Sequence, residues 1–365
     1  MDKESSIEQV LDFTKTGTGI STFINVGNTC YLNSALQVLM HIDEVRKIFL
    51  KTEKMRSENP DFFKNKDIKF YDCIKAIYKG YWEDDCLIRP LGLVKYLNEY
   101  SYFPMGEQSD STEVLTCIIQ KIHESVAVPR ELSIEGATSS LDELAIKQWN
   151  VYLDKKYSPL SNMFWGQFYN RVHCHHCGNK STIFETFHYL TIQAVIEGEE
   201  NVENDIDLMK LFEHFLVEKK FDEENKYQCE TCKMKVDNAT TRTSLWKLPK
   251  YLIIQLKRYY NKADSKQIHK SHRNIEYPLH FDPMFLIDKK KRSTMTKKYT
   301  YNLHSGVFHM GSIHMGHYNC YSWNQDTLQW LGFDDERKVE LDGPILKHNN
   351  IYQLVYELNE VQDVL

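Results

Sequence analysis

The chain has 365 residues, 42% of them hydrophobic and 26% charged, which is enough apolar material to bury one large core or several ordinary ones. Its 45 basic and 51 acidic side chains leave a formal net charge of −6, whereas a primary nucleic-acid binder carries a basic excess. The opening residues Met1 to Ser6 are polar, and no apolar run reaches the roughly eighteen residues that a membrane helix needs. The expectation is a soluble protein with no nucleic-acid or membrane partner, cytoplasmic and also nuclear.

Residues 1–18 lack periodicity and read as a flexible lead. From Cys30 to His41, Leu32, Ala35, Leu36, Leu39 and Met40 form the stripe of an amphipathic helix buried along one face, with Thr29 as its N-cap. Helical patterns recur over 68–100 and 109–127, where Val114, Leu115, Ile118, Ile119 and Ile122 line one face. The first 160 residues are therefore expected to be mainly helical.

Beyond Pro159 the texture becomes aromatic and β-branched, with strand patterns at 167–172 and 182–187. The acidic stretch from Glu197 to Asp207 reads as an exposed connection. Further strands are expected at 252–259, 299–308, 317–323, 330–333 and 351–358. The block Lys289-Lys290-Lys291-Arg292 falls between strand patterns and reads as a solvated loop, with nuclear import as the lesser reading.

Two constellations carry chemistry. In Asn25-Val26-Gly27-Asn28-Thr29-Cys30 a cysteine follows a glycine turn and opens a helix, where backbone N–H groups and the helix dipole favour a thiolate and can also receive an oxyanion. Gly316-His317-Tyr318 offers an imidazole base, although His309 and His314 compete on local grounds. Asp334 and Asp335, beginning seventeen residues after His317, could hold the other ring nitrogen from an adjacent antiparallel strand.

The second constellation is Cys174-His175-His176-Cys177 with Cys229-Glu230-Thr231-Cys232, two Cys-x-x-Cys pairs separated by 51 residues. Nine cysteines in a chain without an export signal favour metal and thiolate chemistry over disulfides. Four thiolates suit tetrahedral Zn²⁺, and a filled shell makes that zinc structural.

These segments resemble the ubiquitin-specific proteases, papain-like cysteine deubiquitinases. Residues 25–39 are similar to the family's cysteine box, Gly316 to Tyr321 to its histidine box, and Phe333-Asp334-Asp335 to the segment holding its aspartate. Residues 252–259 and Tyr352 to Tyr356 are similar to two of its strands, so the likeness runs from Gly19 to about Leu358.

The resemblance implies an α+β, papain-like cysteine protease fold with a helical thumb, zinc-bearing β fingers and a β-sheet palm. The implied catalytic domain spans 19–358, with thumb at about 19–160, fingers at about 161–250, palm at about 251–358, and a tail at 359–365. It implies Cys30 as nucleophile, His317 as general base and then acid, Asp334 as the group orienting His317, and Asn25 as the oxyanion-hole amide. Cys174, Cys177, Cys229 and Cys232 would hold Zn²⁺.

The partner implied is ubiquitin or a ubiquitinated protein, with any activating protein unspecified. The alternatives are a ubiquitin-binding adaptor of weak activity and a protease for another ubiquitin-like modifier. Where the family has Gln-Gln-Asp-Ala-x-Glu-Phe-Leu before a thumb helix, this chain reads Gln108-Ser109-Asp110-Ser111-Thr112-Glu113-Val114-Leu115, a departure that bears on which modifier is accepted.

Overall fold

A computed structural model describes residues 16–64, 66–100, 102–133, 139–196, 198, 204–261, 268–312 and 315–361. Most of the expected flexible lead, the end of the tail, His314 and most of the 197–207 connection lie outside the described residues. Residues 16–18 do not hang free: the backbone N–H groups of Thr16 and Gly17 donate to the Trp82 carbonyl, and Thr18 donates to the Asp85 carboxylate. The chain divides into two compact units, one built from residues up to 128, 158–161 and 304–355, the other from 129–157, 162–303 and 356 onward.

The first unit combines helices α1 (Cys30–Met40), α2 (Asp43–Glu58), α3 (Ile68–Glu83), α4 (Leu91–Glu99) and α5 (Ser111–Val126) with an antiparallel sheet. Asp67 caps α3 and Asp110 caps α5, each accepting backbone N–H groups that no earlier turn can satisfy. Helix α1 was expected to bury one face, yet all eleven of its residues are buried. It is enclosed by α2, α5 and the strands Gly316–Asn324 and Gln329–Asp334, so its polar side chains need internal partners. Gln37 supplies an example, donating to the Ser21 carbonyl at 2.9 Å and accepting from the Tyr81 hydroxyl at 2.6 Å.

Within the sheet of this unit, Gly316–Asn324 pairs antiparallel with the strand that ends at Gly311, Gly316 lying opposite Gly311 and His317 opposite Met310. Its other neighbour is Gln329–Asp334, in the register Cys320 to Phe333, and Arg337–Leu341 follows. His317 and Asp334 thus lie on adjacent antiparallel strands.

The second unit holds α6 (Ser140–Leu153) and a four-stranded sheet in the order Lys180–Phe187, Gly166–Cys174, Ala239–Lys247, Lys219–Lys220. Ala145 of α6 packs with Tyr169, Phe184 and Trp246 of the sheet in one buried cluster. Strand Tyr251–Lys257 pairs in parallel with Leu190–Gln193, and burial of both its faces over residues 251–254 accounts for the apolar run there. The arginine that follows, Arg258, is fully buried and donates to the carbonyls of Ser271 and Arg273.

The block Lys289–Arg292 is a short helix capped by Asp288 rather than a solvated loop. Lys291 turns inward to Asp142 at 2.8 Å, a long-range pairing that local composition does not reveal. The α+β expectation is met.

Candidate active site and four-cysteine cluster

The turn before α1 is shaped by its own side chains. Gly27 at φ 110° and Asn28 at φ 54° take left-handed backbone, which glycine adopts freely and asparagine tolerates. Asn25 Oδ1 accepts from the N–H groups of Gly27 and Thr29, both at 3.1 Å, and so closes the turn. Thr29 occupies the expected N-cap position but makes no side-chain cap bond; its hydroxyl accepts from Val26 N–H at 3.0 Å instead. No side chain therefore caps the first N–H groups of α1.

Cys30 is 2% exposed. Burial pushes its thiol above the ordinary range, and the charge of Asp335 adds to this, against an opposing pull from the backbone N–H groups of Tyr318, Tyr31 and Cys30 itself. The helix start lowers the thiol as expected, but burial outweighs it, so Cys30 is held protonated at neutral pH.

Gly316 has no room for a side chain, because a Cβ there would lie 2.2 Å from His309 Nε2 and 2.6 Å from the Met310 carbonyl. Gln108 clasps the same glycine from both sides: its Nε2 donates to the Gly316 carbonyl, and its Oε1 accepts from the Gly316 N–H at 2.6 Å. Beside this anchored residue, His317 Nε2 lies 2.5 Å from Asp334 Oδ1. The Nδ1 edge of the ring is left available. Among the described residues His317 makes no hydrogen bond to Cys30. His309 packs against Tyr318 and Tyr352 instead, with ring centroids at 4.4 and 5.7 Å.

The two aspartates divide the work. Asp334 faces the imidazole, whereas Asp335, at φ 50°, accepts from Asn25 Nδ2 at 2.9 Å and from Asn33 Nδ2 at 2.8 Å. Gln108 and Asn33 were not singled out from the sequence. Gln108 had a signal, since it occupies the first glutamine of the thumb-helix motif; Asn33 had only its place in the cysteine box.

In the second unit Cys174 ends one long strand and Cys229 ends a short hairpin strand, and the four cysteine sulfurs all lie within 4.8 Å of one another. Each Cys-x-x-Cys turn closes on a left-handed residue after the second cysteine, Gly178 at φ 74° and Lys233 at φ 58°, with N–H bonds back to the carbonyls of Cys174 and Cys229. The sulfurs of Cys174 and Cys232 are 3.8 Å apart and those of Cys177 and Cys229 3.7 Å apart. A tetrahedral zinc shell with Zn–S bonds of about 2.3 Å has an edge of about 3.8 Å, so the donor set fits that ion. None of the nine cysteines is in a disulfide. His175 is engaged elsewhere, at 3.1 Å from Thr240 Oγ1.

The ubiquitin carboxyl-terminal hydrolase family profile matches residues 21–356. A protein of Acanthamoeba polyphaga mimivirus named a probable ubiquitin carboxyl-terminal hydrolase is 24% identical, over 94% of this chain and 91% of its own length. Human ubiquitin carboxyl-terminal hydrolases 2 and 21 are each 26% identical over 94% of this chain, which spans 56% and 62% of their respective lengths.

Among solved structures, the SAGA Ubp8/Sgf11/Sus1/Sgf73 DUB module bound to ubiquitin aldehyde matches with a TM-score of 0.69 at 20% identity, covering 96% of this chain and 71% of that one. A yeast SAGA DUB module with an altered Sgf73 matches at 0.68 and 21% identity, covering 96% and 70%. These likenesses establish the fold. With the profile match across nearly its whole length, the chain belongs to the ubiquitin carboxyl-terminal hydrolase family, the thiol-dependent deubiquitinases.

Proposed function

We propose that this chain cleaves the bond after the C-terminal glycine of ubiquitin with Cys30 as nucleophile, His317 as base and then acid, Asp334 as the residue orienting His317, and Asn25 as an oxyanion donor. The observation that carries the reading is the short His317–Asp334 contact one residue from Tyr318, whose N–H reaches the Cys30 sulfur. With Nε2 held by the carboxylate, the imidazole presents Nδ1 as the acceptor for a thiol proton.

Because Cys30 rests as a thiol, the proton passes to His317 as the sulfur attacks the carbonyl carbon. The carbonyl electron pair moves onto oxygen, which Asn25 Nδ2 and the N–H groups at the start of α1 can stabilise by several kcal/mol. Asp335 engages one Nδ2 hydrogen of Asn25 and leaves the second for that oxygen. Collapse expels the amine, which takes the proton from His317 and leaves a thioester. Water, deprotonated by the same imidazole, then releases free ubiquitin and restores the thiol.

We further propose structural Zn²⁺ on Cys174, Cys177, Cys229 and Cys232, which would cross-link the two turns and take no part in the reaction. The thumb, fingers and palm division, ubiquitin as the bound modifier, and a cytoplasmic and nuclear place of action belong to the same proposal. Incubation with ubiquitin bearing a C-terminal propargylamide tests it: a covalent adduct mapped to Cys30 is expected. No adduct on a folded preparation, or an undiminished adduct on Cys30→Ala, overturns the assignment.

A further inference from the structure

The second unit contains a cavity of about 390 Å³ between α6, the end of strand Ala239–Lys247 and the segment after Lys291. That volume lies within the range of about 300–1,000 Å³ typical of small-molecule pockets. Its walls are mostly apolar and include Ile146, Trp149 and Trp246.

Trp246 and Lys247 are consecutive on a strand, yet both line it. Regular pleating would send them to opposite faces; the register shift between Leu245 and Lys247 breaks the alternation, a common way of re-aiming a side chain beside a site.

The charges inside do not balance. Two ammonium groups each sit over an indole, Lys247 at 4.3 Å from the Trp149 centroid and Lys291 at 5.3 Å from that of Trp246. Lys291 also pairs with Asp142 at 2.8 Å. Lys247 has no carboxylate among the described residues; its Nζ donates only to the Trp165 carbonyl at 3.0 Å. Burial lowers this ammonium to about 8, the cost of a desolvated cation without a counterion. Two cations, two indole faces and one anion leave a single place unfilled.

We infer that this cavity binds a small free aromatic carboxylate, its ring between the apolar walls and its carboxylate on Lys247. None of the lining residues is among those proposed for catalysis, and binding can be read without measuring ubiquitin cleavage.

Isothermal titration calorimetry of the full chain with 2-naphthoate and its neutral counterpart 2-naphthamide tests the inference. The acid is expected to bind at submillimolar concentration and the amide at least tenfold more weakly, because only the acid supplies the missing charge. Lys247→Met should bring the two ligands to equal affinity, and Leu132→Trp, which fills the cavity from its wall, should abolish both. Ubiquitin cleavage by both variants should equal that of the unaltered chain, which also verifies folding. Equal affinity of acid and amide for the unaltered chain, or no binding of the acid at millimolar concentration, overturns the proposal without recourse to any variant. Retention of the acid's preference in a folded Lys247→Met overturns it as well.

Discussion

The two sulfur sites of this chain place the same atom under opposite conditions. Cys30 stands alone at a helix start, buried and with its thiol pushed up. The four cysteines of the second unit crowd one another: the backbone N–H of Cys232 leads in holding Cys229 down at about 7, while hydrogen bonding to Cys177 and then burial push Cys232 well up. A single buried thiol with no second sulfur beside it is suited to transient bond making. Four thiols at tetrahedral spacing are suited to a permanent ligand. Sulfur chemistry here is decided by what lies within a few ångströms, and each site should fail in its own way.

The largest effect is expected at Cys30. Cys30→Ala should lower the rate of fluorogenic ubiquitin cleavage by about 10⁴-fold or more while leaving the thermal midpoint within about 3 °C. A parallel loss of stability would erase the contrast between the sites. Cys174→Ser or Cys229→Ser should do the converse, losing stoichiometric zinc by metal analysis and about 5 kcal/mol or more of stability in denaturant unfolding. A variant that stays folded and unchanged would show that no structural metal is held there.

The next predictions sharpen the roles within the active site. Asp334→Asn should reduce kcat by about 10²- to 10⁴-fold through loss of the imidazole's orientation, whereas Asp335→Asn, acting through Asn25, should cost about 10- to 100-fold. Comparable losses for both would refute the division of labour. Gln108→Ala frees Gly316 and should lower kcat by about tenfold, with little change in KM.

The smallest effect concerns reactivity at rest. Since the Cys30 thiol is pushed up, its thiolate fraction is low at neutral pH and grows only as pH rises above the ordinary thiol range. Iodoacetamide at pH 7.5 should therefore label Cys30 about tenfold more slowly than the exposed Cys86, measured by peptide mapping, with the gap closing as pH rises. Faster labelling of Cys30 would mean a preformed thiolate.

Much of this was legible from residue order alone. The stripe in α1, the apolar face of α5, the strand texture beyond residue 160 and the paired Cys-x-x-Cys turns are local patterns, and local patterns survive in one dimension because helix, strand and turn preferences act over a few residues. Separated boxes with the right residue types were enough to indicate the family.

Tertiary structure alone decided the rest. Which of two adjacent aspartates faces His317 depends on contacts such as Asn25 to Asp335, 310 residues apart, and no neighbour rule spans that interval. The complete burial of α1, the reversal of the expected thiol shift, the inward turn of Lys291 and the uncompensated charge of Lys247 share one cause. Desolvation and pairing are set by whatever distant segments close around a group. A sequence can name a cysteine at a helix start, but only the packed molecule determines how much water and charge that sulfur meets.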